Sequence, residues 1–443
     1  MILEAIEKIP SAARPPDAAD VVVIGGGIAG VSTALFLAEA GLRVVLCEKG
    51  LVGAEQSARN WGWVRQMGRD PAELPMTVRS LDIWRGLDRT YGIETGFRET
   101  GITYICRTRH EVREFTDWAD HAREADLPTR ILDRKGLAEV LPGISDRFSM
   151  GLHTANDGRA EPLSAVPQMA KAAIRLGAVI VENCAARGVE TSAGALSAVV
   201  TEKGVIRTER AVLAGGAWSR LFLGNLGVDF PQLKILGTAA RIESAGAVPQ
   251  MPVGGGHLAF RKRLDGGYTV AQRNANIAPL VPDSFRLFGD FFPSFLKSWH
   301  ELKLRVGRQF VTEFRMPRRW ALDAVTPFEQ IRTLDPLPHE PFNRQTLVNL
   351  ARAFPAFADA RQTSSWAGMI DATPDAVPVI GPVAAVPGLY LEAGFSGHGF
   401  GSGPGAGELM AEMVRGVATR LDPHPFRLER FAKSQGGAAR AAA

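Results

Sequence analysis

Gly25, Gly27 and Gly30 stand in the spacing G-x-G-x-x-G, directly behind the β-branched run Val21-Val22-Val23-Ile24 and ahead of an apolar stretch over 28–40. Glycines so spaced let a chain turn sharply, approach a pyrophosphate with bare backbone, and pack the next helix closely on a strand. Gly41 closes that helix, and "LRVVLCEKG" predicts a second strand that delivers Glu48. A carboxylate roughly 20 residues beyond the glycines accepts both hydroxyls of a ribose and repels a 2′-phosphate. Strand, turn, helix, strand and acid in this order predict a dinucleotide site. A polar, small-residue loop at 53–66, "GAEQSARNWGWVRQ", adds backbone and hydroxyl donors. Such donors suit a ligand that extends past its pyrophosphate toward a bulky ring system, so of NAD and FAD the reading is FAD.

Further elements must frame such a ligand. Amphipathic helices are predicted over 73–90 and 111–125, around a strand in 99–107, followed by a turn, helix and strand over 157–183, the strand beginning at Gly177. "RAVLAGGAWS" (210–219) is a second β-branched run ending in small residues, and "GGGHLAFRKRLDGGYTVAQR" predicts a hairpin. Residues 294–316 read as one amphipathic, basic helix, and "FSGHGFGSGPG" as a loop opening a last helix over 405–417. Phe291, Phe292, Phe295 and Trp299 recur at helical spacing and read as an interior stripe rather than a membrane anchor.

Four ordered segments, "VVVIGGGIAG…CEKG", "DGRAEPLSAV" before "GAVIVEN", "AVLAGGAWS" and "WAGMIDATPDAVPVIGP…LEAGFSGHGFGSGP", make the chain resemble the D-amino-acid oxidase superfamily of flavoproteins from about residue 20 to 420. The branch is that of glycine oxidase, sarcosine oxidase β-type subunits and D-amino-acid dehydrogenases. The resemblance implies an α/β fold, α+β overall. A Rossmann-like FAD-binding domain would be built from 18–90, 150–231 and 363–432, and a discontinuous substrate domain on an antiparallel sheet from 91–149 and 232–362. Residues 1–17 and 433–443 are left as flexible ends.

The same resemblance implies cofactor contacts. Gly25, Gly27, Ile28, Ala29 and Gly30 would hold the pyrophosphate, with Glu48 and Lys49 near the ribose. Gln56, Ser57, Ala58, Arg59, Asn60 and Gly62 would wrap phosphates and flavin, and Ala186, Ala214 and Gly215 would lie by the adenine. Gly394, Phe395, Gly397, His398, Gly399, Phe400 and Gly401 would meet the flavin pyrimidine ring, where helix amides favour reduced, anionic flavin. The implied reaction takes hydride from a carbon bearing an amine, in a D-, N-alkyl or opine-like amino acid, and leaves an imine that water hydrolyses. A flavin-carrying subunit of a hetero-oligomeric dehydrogenase is the alternative. An FAD aromatic monooxygenase is disfavoured because 394–405 lacks its "GD…P" segment.

Departures from the family pattern matter for the substrate. Where relatives carry a carboxylate-binding arginine, this chain reads Met369-Ile370-Asp371, so Arg65, Arg261 and Arg273 become the candidate anchors, and Asp371 a candidate partner for a cationic group or a cap. Trp61 and Trp63 are candidates to wall the cavity, with core aromatics as the equal alternative. His398 is the candidate titratable group at the flavin, for charge compensation or proton relay, against a mere packing role in its glycine loop. No lysine occurs in Tyr268-Thr269-Val270-Ala271, where oxidase relatives place one, so the acceptor is O2 or, in preference, a quinone or other carrier. "SARNWGW" and "WAGMID" offer no histidine or cysteine for covalent attachment, which predicts dissociable FAD.

Composition agrees with a soluble enzyme. Of 443 residues, 46% are hydrophobic and 22% charged, and the net charge of +4 is interleaved rather than blocked, which argues against nucleic acid. Cys47, Cys106 and Cys184 are too scattered for a disulfide framework or metal pair. With neither a secretory leader nor a spanning segment recognised, the expectation is a cytoplasmic protein, with peripheral attachment to the inner membrane face and oligomerisation left open.

Overall fold

The computed structural model describes residues 2–244, 246, 248–273, 275–299 and 302–432. Two sheets organise it. The first is built on the β-branched runs: β1 (Val21–Ile24) and β2 (Val44–Cys47) are buried along their whole length, as strands covered on both faces must be. β1 pairs in parallel with β2 and with β3 (Ala211–Leu213), and β3 with β6 (Leu389–Ala393); Val179–Val181 extends the sheet beside β2, and Val379–Pro382 adds an antiparallel edge beside β6. One sheet thus draws on three separated stretches of chain.

Helices α1 (Ile28–Glu39), α2 (Leu74–Tyr91), α3 (Pro162–Arg175) and α5 (Gly399–Arg415) contribute to the core packed on this sheet. The tightest helix pair is α1 with α5. A Cβ on Gly407 would lie 2.5 Å from the Ser32 Cβ and 2.6 Å from the Thr33 nitrogen, and one on Gly403 would lie 2.8 Å from the Ile28 side chain. Only bare backbone lets the helices approach this closely.

The second sheet has ten strands and is largely antiparallel. Its longest elements are β4 (Leu233–Glu243) and β5 (Arg361–Ala372), antiparallel from Leu233–Ala372 to Glu243–Arg361 with one irregularity near Arg241. The expected hairpin forms between Leu258–Lys262 and Tyr268–Ala271. Ile102–Cys106 and Met150–Thr154 carry the sheet to its far end.

Several expectations are corrected. The single basic helix over 294–316 is two helices, α4 (Phe288–Ser298) and Arg308–Arg315, with the strand Leu302–Arg305 between them. The presumed interior stripe on α4 is not interior: Phe292 and Trp299 are exposed, Phe291 and Phe295 half-buried, and Phe288 and Leu296 face outward as well. The last helix begins at Gly399 rather than 405, which moves the glycines at 399–401 from a loop into a first helical turn. Residues 2–17 are anchored rather than loose: Ile6 is buried, the Ala12 amide donates to the Ile180 carbonyl, and Glu7 accepts from Gln168. The other expected flexible end, 433–443, lies outside the described residues.

Because α1 and α5 touch through backbone, Gly407→Ala is expected to lower unfolding free energy by about 1–3 kcal/mol through overpacking. Thermal or urea unfolding of the purified protein measures it, and an unchanged midpoint would remove the close approach as a source of stability.

Candidate active site

The turn after β1 is shaped by contacts that only glycine permits. Gly25 has φ +112°, and a Cβ there would sit 2.4 Å from the Ala214 carbonyl oxygen. A Cβ on Gly30 would sit 2.1 Å from the Gly25 oxygen, so this position seats α1 against the turn and does not line the cavity. Gly27 precedes α1 in extended conformation, and the Ile28 amide donates to the Ser57 hydroxyl at 2.9 Å. The first turn of α1, at Ile28 and Ala29, borders the cavity and turns the positive end of the helix dipole toward it, with Ser57 holding the Ile28 amide.

Two adjoining cavities run from this turn, of about 120 Å³ and 430 Å³, sharing Gly27, Gln56, Ser57, Ala214 and Gly216 in their walls. The smaller is bounded by Gly25, Glu48, Ala186 and Gly215. Glu48 accepts the Gly26 and Gly50 amides, each at 2.7 Å, and burial pushes its carboxyl up. The larger cavity takes in Trp61, Trp63, Arg65, Arg273, Asp371, Phe395 and the run from Gly397 to Gly401. Here the N-terminus of α5, with His398 at its cap position, faces the same space as the N-terminus of α1.

This donor set fits FAD. A buried acid stands at one end for a diol, helix amides lie midway for phosphates, and a glycine-walled, aromatic-lined chamber lies beyond for a flat ring system. Residues lining the larger cavity also carry buried polar atoms without a protein partner, among them Trp63 Nε1, Gln272 Oε1, Glu392 Oε1 and His398 Nδ1. Glu392 accepts from the Thr33 hydroxyl at 2.6 Å on its other oxygen, and burial pushes its carboxyl up to about 7.

Other expected residues have different work. Lys49 borders the smaller cavity, but its ammonium donates to Glu55 at 2.7 Å and to the carbonyls of Ile331 and Arg332, which leaves little for a ribose. Ala58 packs with Ile6 and Ala54 and is not itself among the residues lining either cavity. Gly62 lies against the Ala160 oxygen and Arg261 rather than the ligand space. Arg59 reaches the larger cavity while bonding Asp335, Ala54 and Ala367, and Asn60 holds its own loop through Ser57 and Gly62. Arg261 is corrected as a substrate anchor: it is fully buried outside the cavity, bonded to Glu161 at 2.6 Å and to the Trp61 carbonyl at 2.7 Å. Gly394 (φ +81°) also lies behind the wall, donating to Asp371 Oδ2 at 2.7 Å.

Asp371 is thus the brace of the second glycine loop. Burial pushes its carboxyl up to about 6, against the Gly394 and Gln56 bonds. His398 Nδ1 lies 3.3 Å from Glu73 Oε2, a carboxylate with no exposure to solvent. Sequence reasoning missed Glu73, Arg69, Tyr104, Gln272 and Glu392. The last stands two residues before Gly394 in the quoted "LEAG" strand, which is the one signal that was available.

Comparison with known proteins follows the same lines. A family model described as FAD dependent oxidoreductase (DAO) matches residues 20–413. The structure of an L-amino acid deaminase from Proteus myxofaciens in complex with anthranilate is 33% identical, with TM-score 0.92 and 96% of each chain covered. A D-amino acid dehydrogenase of Rhodopseudomonas palustris is 24% identical, over 95% of this chain and 99% of that one. A 4-methylaminobutanoate oxidase (formaldehyde-forming) of Paenarthrobacter nicotinovorans is 26% identical over 94% of this chain, which spans only 46% of that relative.

Two outcomes are expected. Glu48→Ala should raise the dissociation constant of FAD about 10- to 100-fold, the worth of a hydrogen bond to a charged group, in titration of apoprotein followed by flavin fluorescence. Neutral Asp371 contributes stability that is fully present below its unfolded value near 4 and is lost as pH rises through about 6. Asp371→Asn cannot lose it, so the midpoint of the variant minus that of wild type should rise by roughly 1–4 °C from pH 4 to 7. A pH-independent difference would remove the titration of Asp371 from the account.

Proposed function

The chain belongs to the DAO family of FAD-dependent oxidoreductases, and from that premise we propose that it oxidises the carbon bearing the amine of an amino acid. One observation carries the reading. The cavity at the dinucleotide turn adjoins, across walls shared at Gly27, Gln56, Ser57, Ala214 and Gly216, a chamber walled by Trp61, Trp63, Tyr104, Arg65 and Arg273. Bound FAD supplies the hydride acceptor there.

The protein's own part is to hold the substrate. Arg65 or Arg273 takes the carboxylate, for which a guanidinium has the matching fork. The aromatic walls exclude water and align the C–H bond, and Gln272 Oε1 offers an acceptor to the amine. His398, on the Glu73 carboxylate, is positioned to hold a proton beside the ring system. Its place at the head of α5 sets it beside amides that favour negative charge. The relation at 33% identity to an L-amino acid deaminase adds L-configured substrates to the D-, N-alkyl and opine-like classes.

For the acceptor we favour a quinone or another carrier over O2, because no lysine is among the described residues lining the larger cavity. Peripheral attachment to the inner face of a membrane suits that acceptor. The outward face of α4, with Phe288, Phe292 and Leu296 beside Lys297, supports it, and among the described residues no helix is long and apolar enough to cross a bilayer. FAD is held without a covalent bond: His398, the one histidine among the described residues lining the larger cavity, sits at a helix cap, and Cys47 borders the smaller cavity instead.

The test is a spectrum. Purified holoprotein, kept anaerobic, should lose its yellow flavin absorbance on addition of L-, D- or N-methyl amino acids with no nicotinamide cofactor present. A soluble quinone analogue should restore the colour faster than air. Protein whose flavin no amine bleaches refutes the substrate reading, and faster recovery in air refutes the carrier.

A further inference from the structure

Three guanidinium groups, not one, line the chamber where a substrate carboxylate would lie. Arg65 and Arg273 lie against the Tyr104 ring, with their Cζ atoms 5.6 Å and 4.0 Å from its centroid. Arg69, four residues beyond Arg65, joins the same wall and is 4% exposed, and its Nε and Nη1 have no hydrogen-bond partner. Among the described residues none of the three has a carboxylate within 4.0 Å, although the other buried arginines do: Arg59 has Asp335, and Arg261 and Arg159 have Glu161.

Two acids lie nearby. Asp157 accepts the amides of Gln66 at 2.7 Å and Met67 at 3.2 Å, so it pins the turn that presents Arg65 and Arg69. Glu73 lies 3.3 Å from His398 Nδ1, its oxygens without a hydrogen-bond partner, and neither acid comes within 4.0 Å of the three guanidinium groups. Burial and the charge of Arg273 both act to pull the Arg65 guanidinium down, which is the strain expected of like charges gathered in a partly dry space. A buried cation without an anion is costly, and the cost is relieved when a ligand brings the anion.

One α-carboxylate engages one guanidinium fork and leaves two cations unmatched. We propose that the substrate carries a second carboxylate, on its side chain or on its N-substituent, which Arg69 receives while the Tyr104-flanked pair holds the first. The proposal rests on the amino-acid reading above and narrows it to dicarboxylic amino acids. Arg69 acts here by binding and selecting, with no part in the hydride step.

Dicarboxylates without an amine separate this inference from that reading, because they bind without turnover. Perturbation of the flavin spectrum of the holoprotein, or calorimetry, gives dissociation constants for glutarate, succinate and butyrate. Wild type should bind one of the two dicarboxylates at least tenfold more tightly than butyrate, and Arg69→Gln should abolish the preference while changing butyrate affinity less than about twofold. Arg69→Lys, which keeps the charge and the fold but loses the fork, should retain part of it; an unaltered flavin spectrum certifies each variant as folded. Equal binding of dicarboxylates and butyrate by wild type overturns the proposal without any variant. So does a preference that survives Arg69→Gln. Bleaching by neutral amino acids alone also overturns it and leaves the general reading intact, whereas a dicarboxylate preference in a protein that no amine bleaches supports the site and refutes the reaction.

Discussion

The contact between α1 and α5 is the constraint on which the site depends. Gly403 and Gly407 remove the side chains that would hold the two helices apart, and the space is filled by Ile28, Ser32 and Thr33. Thr33 then reaches across to Glu392 on β6, which ties α1 to the strand leading into the second glycine loop. With the helices set side by side, both N-termini open on one cavity, one from residue 28 of the chain and the other from residue 399. A larger residue at either glycine would push these ends apart and misplace the donors at both.

The electrostatics of the cavity follow a gradient along its length. At the nucleotide end a buried acid, Glu48, is satisfied by backbone amides and repels further negative charge. At the α1 terminus the cavity offers backbone amides, while Lys49 is bound into the loop at 331–332 and Arg59 is paired with Asp335. Arginines gather at the far end. Negative charge on a ligand is therefore welcomed by backbone in the middle and by side chains at the tip. The larger cavity is also lined by two carboxyl groups, Asp371 and Glu392, that burial pushes up from the ordinary carboxylate range.

How much of this was legible in the sequence depends on the range of the contact. The strand, turn, helix and acid over 21–48 are local, and a twenty-residue pattern suffices to read them. The second glycine loop was legible by position, although its helix starts six residues earlier than the glycine-rich composition implied, because tertiary packing at 399–407 stabilises residues with poor helix propensity. Lys49 and Arg261 were misread because their partners, at 331–332 and 161, are far away in the chain. Glu73 and Arg69 flank a short polar turn, "MGRDPAE", whose composition gives no hint of burial. The aromatic period on α4 did mark an apolar face, but periodicity cannot say whether protein covers that face.

The β4–β5 ladder begins in the antiparallel sheet and ends beneath the cofactor chamber, where the Asp371 amide meets Gln56 and Ala372 bridges to Phe395. Such a girder resists bending in its plane, because spreading the two sheets at this seam would have to shear the successive backbone bonds that join its strands. Side chains at the rim of the cavity can turn without breaking any of them.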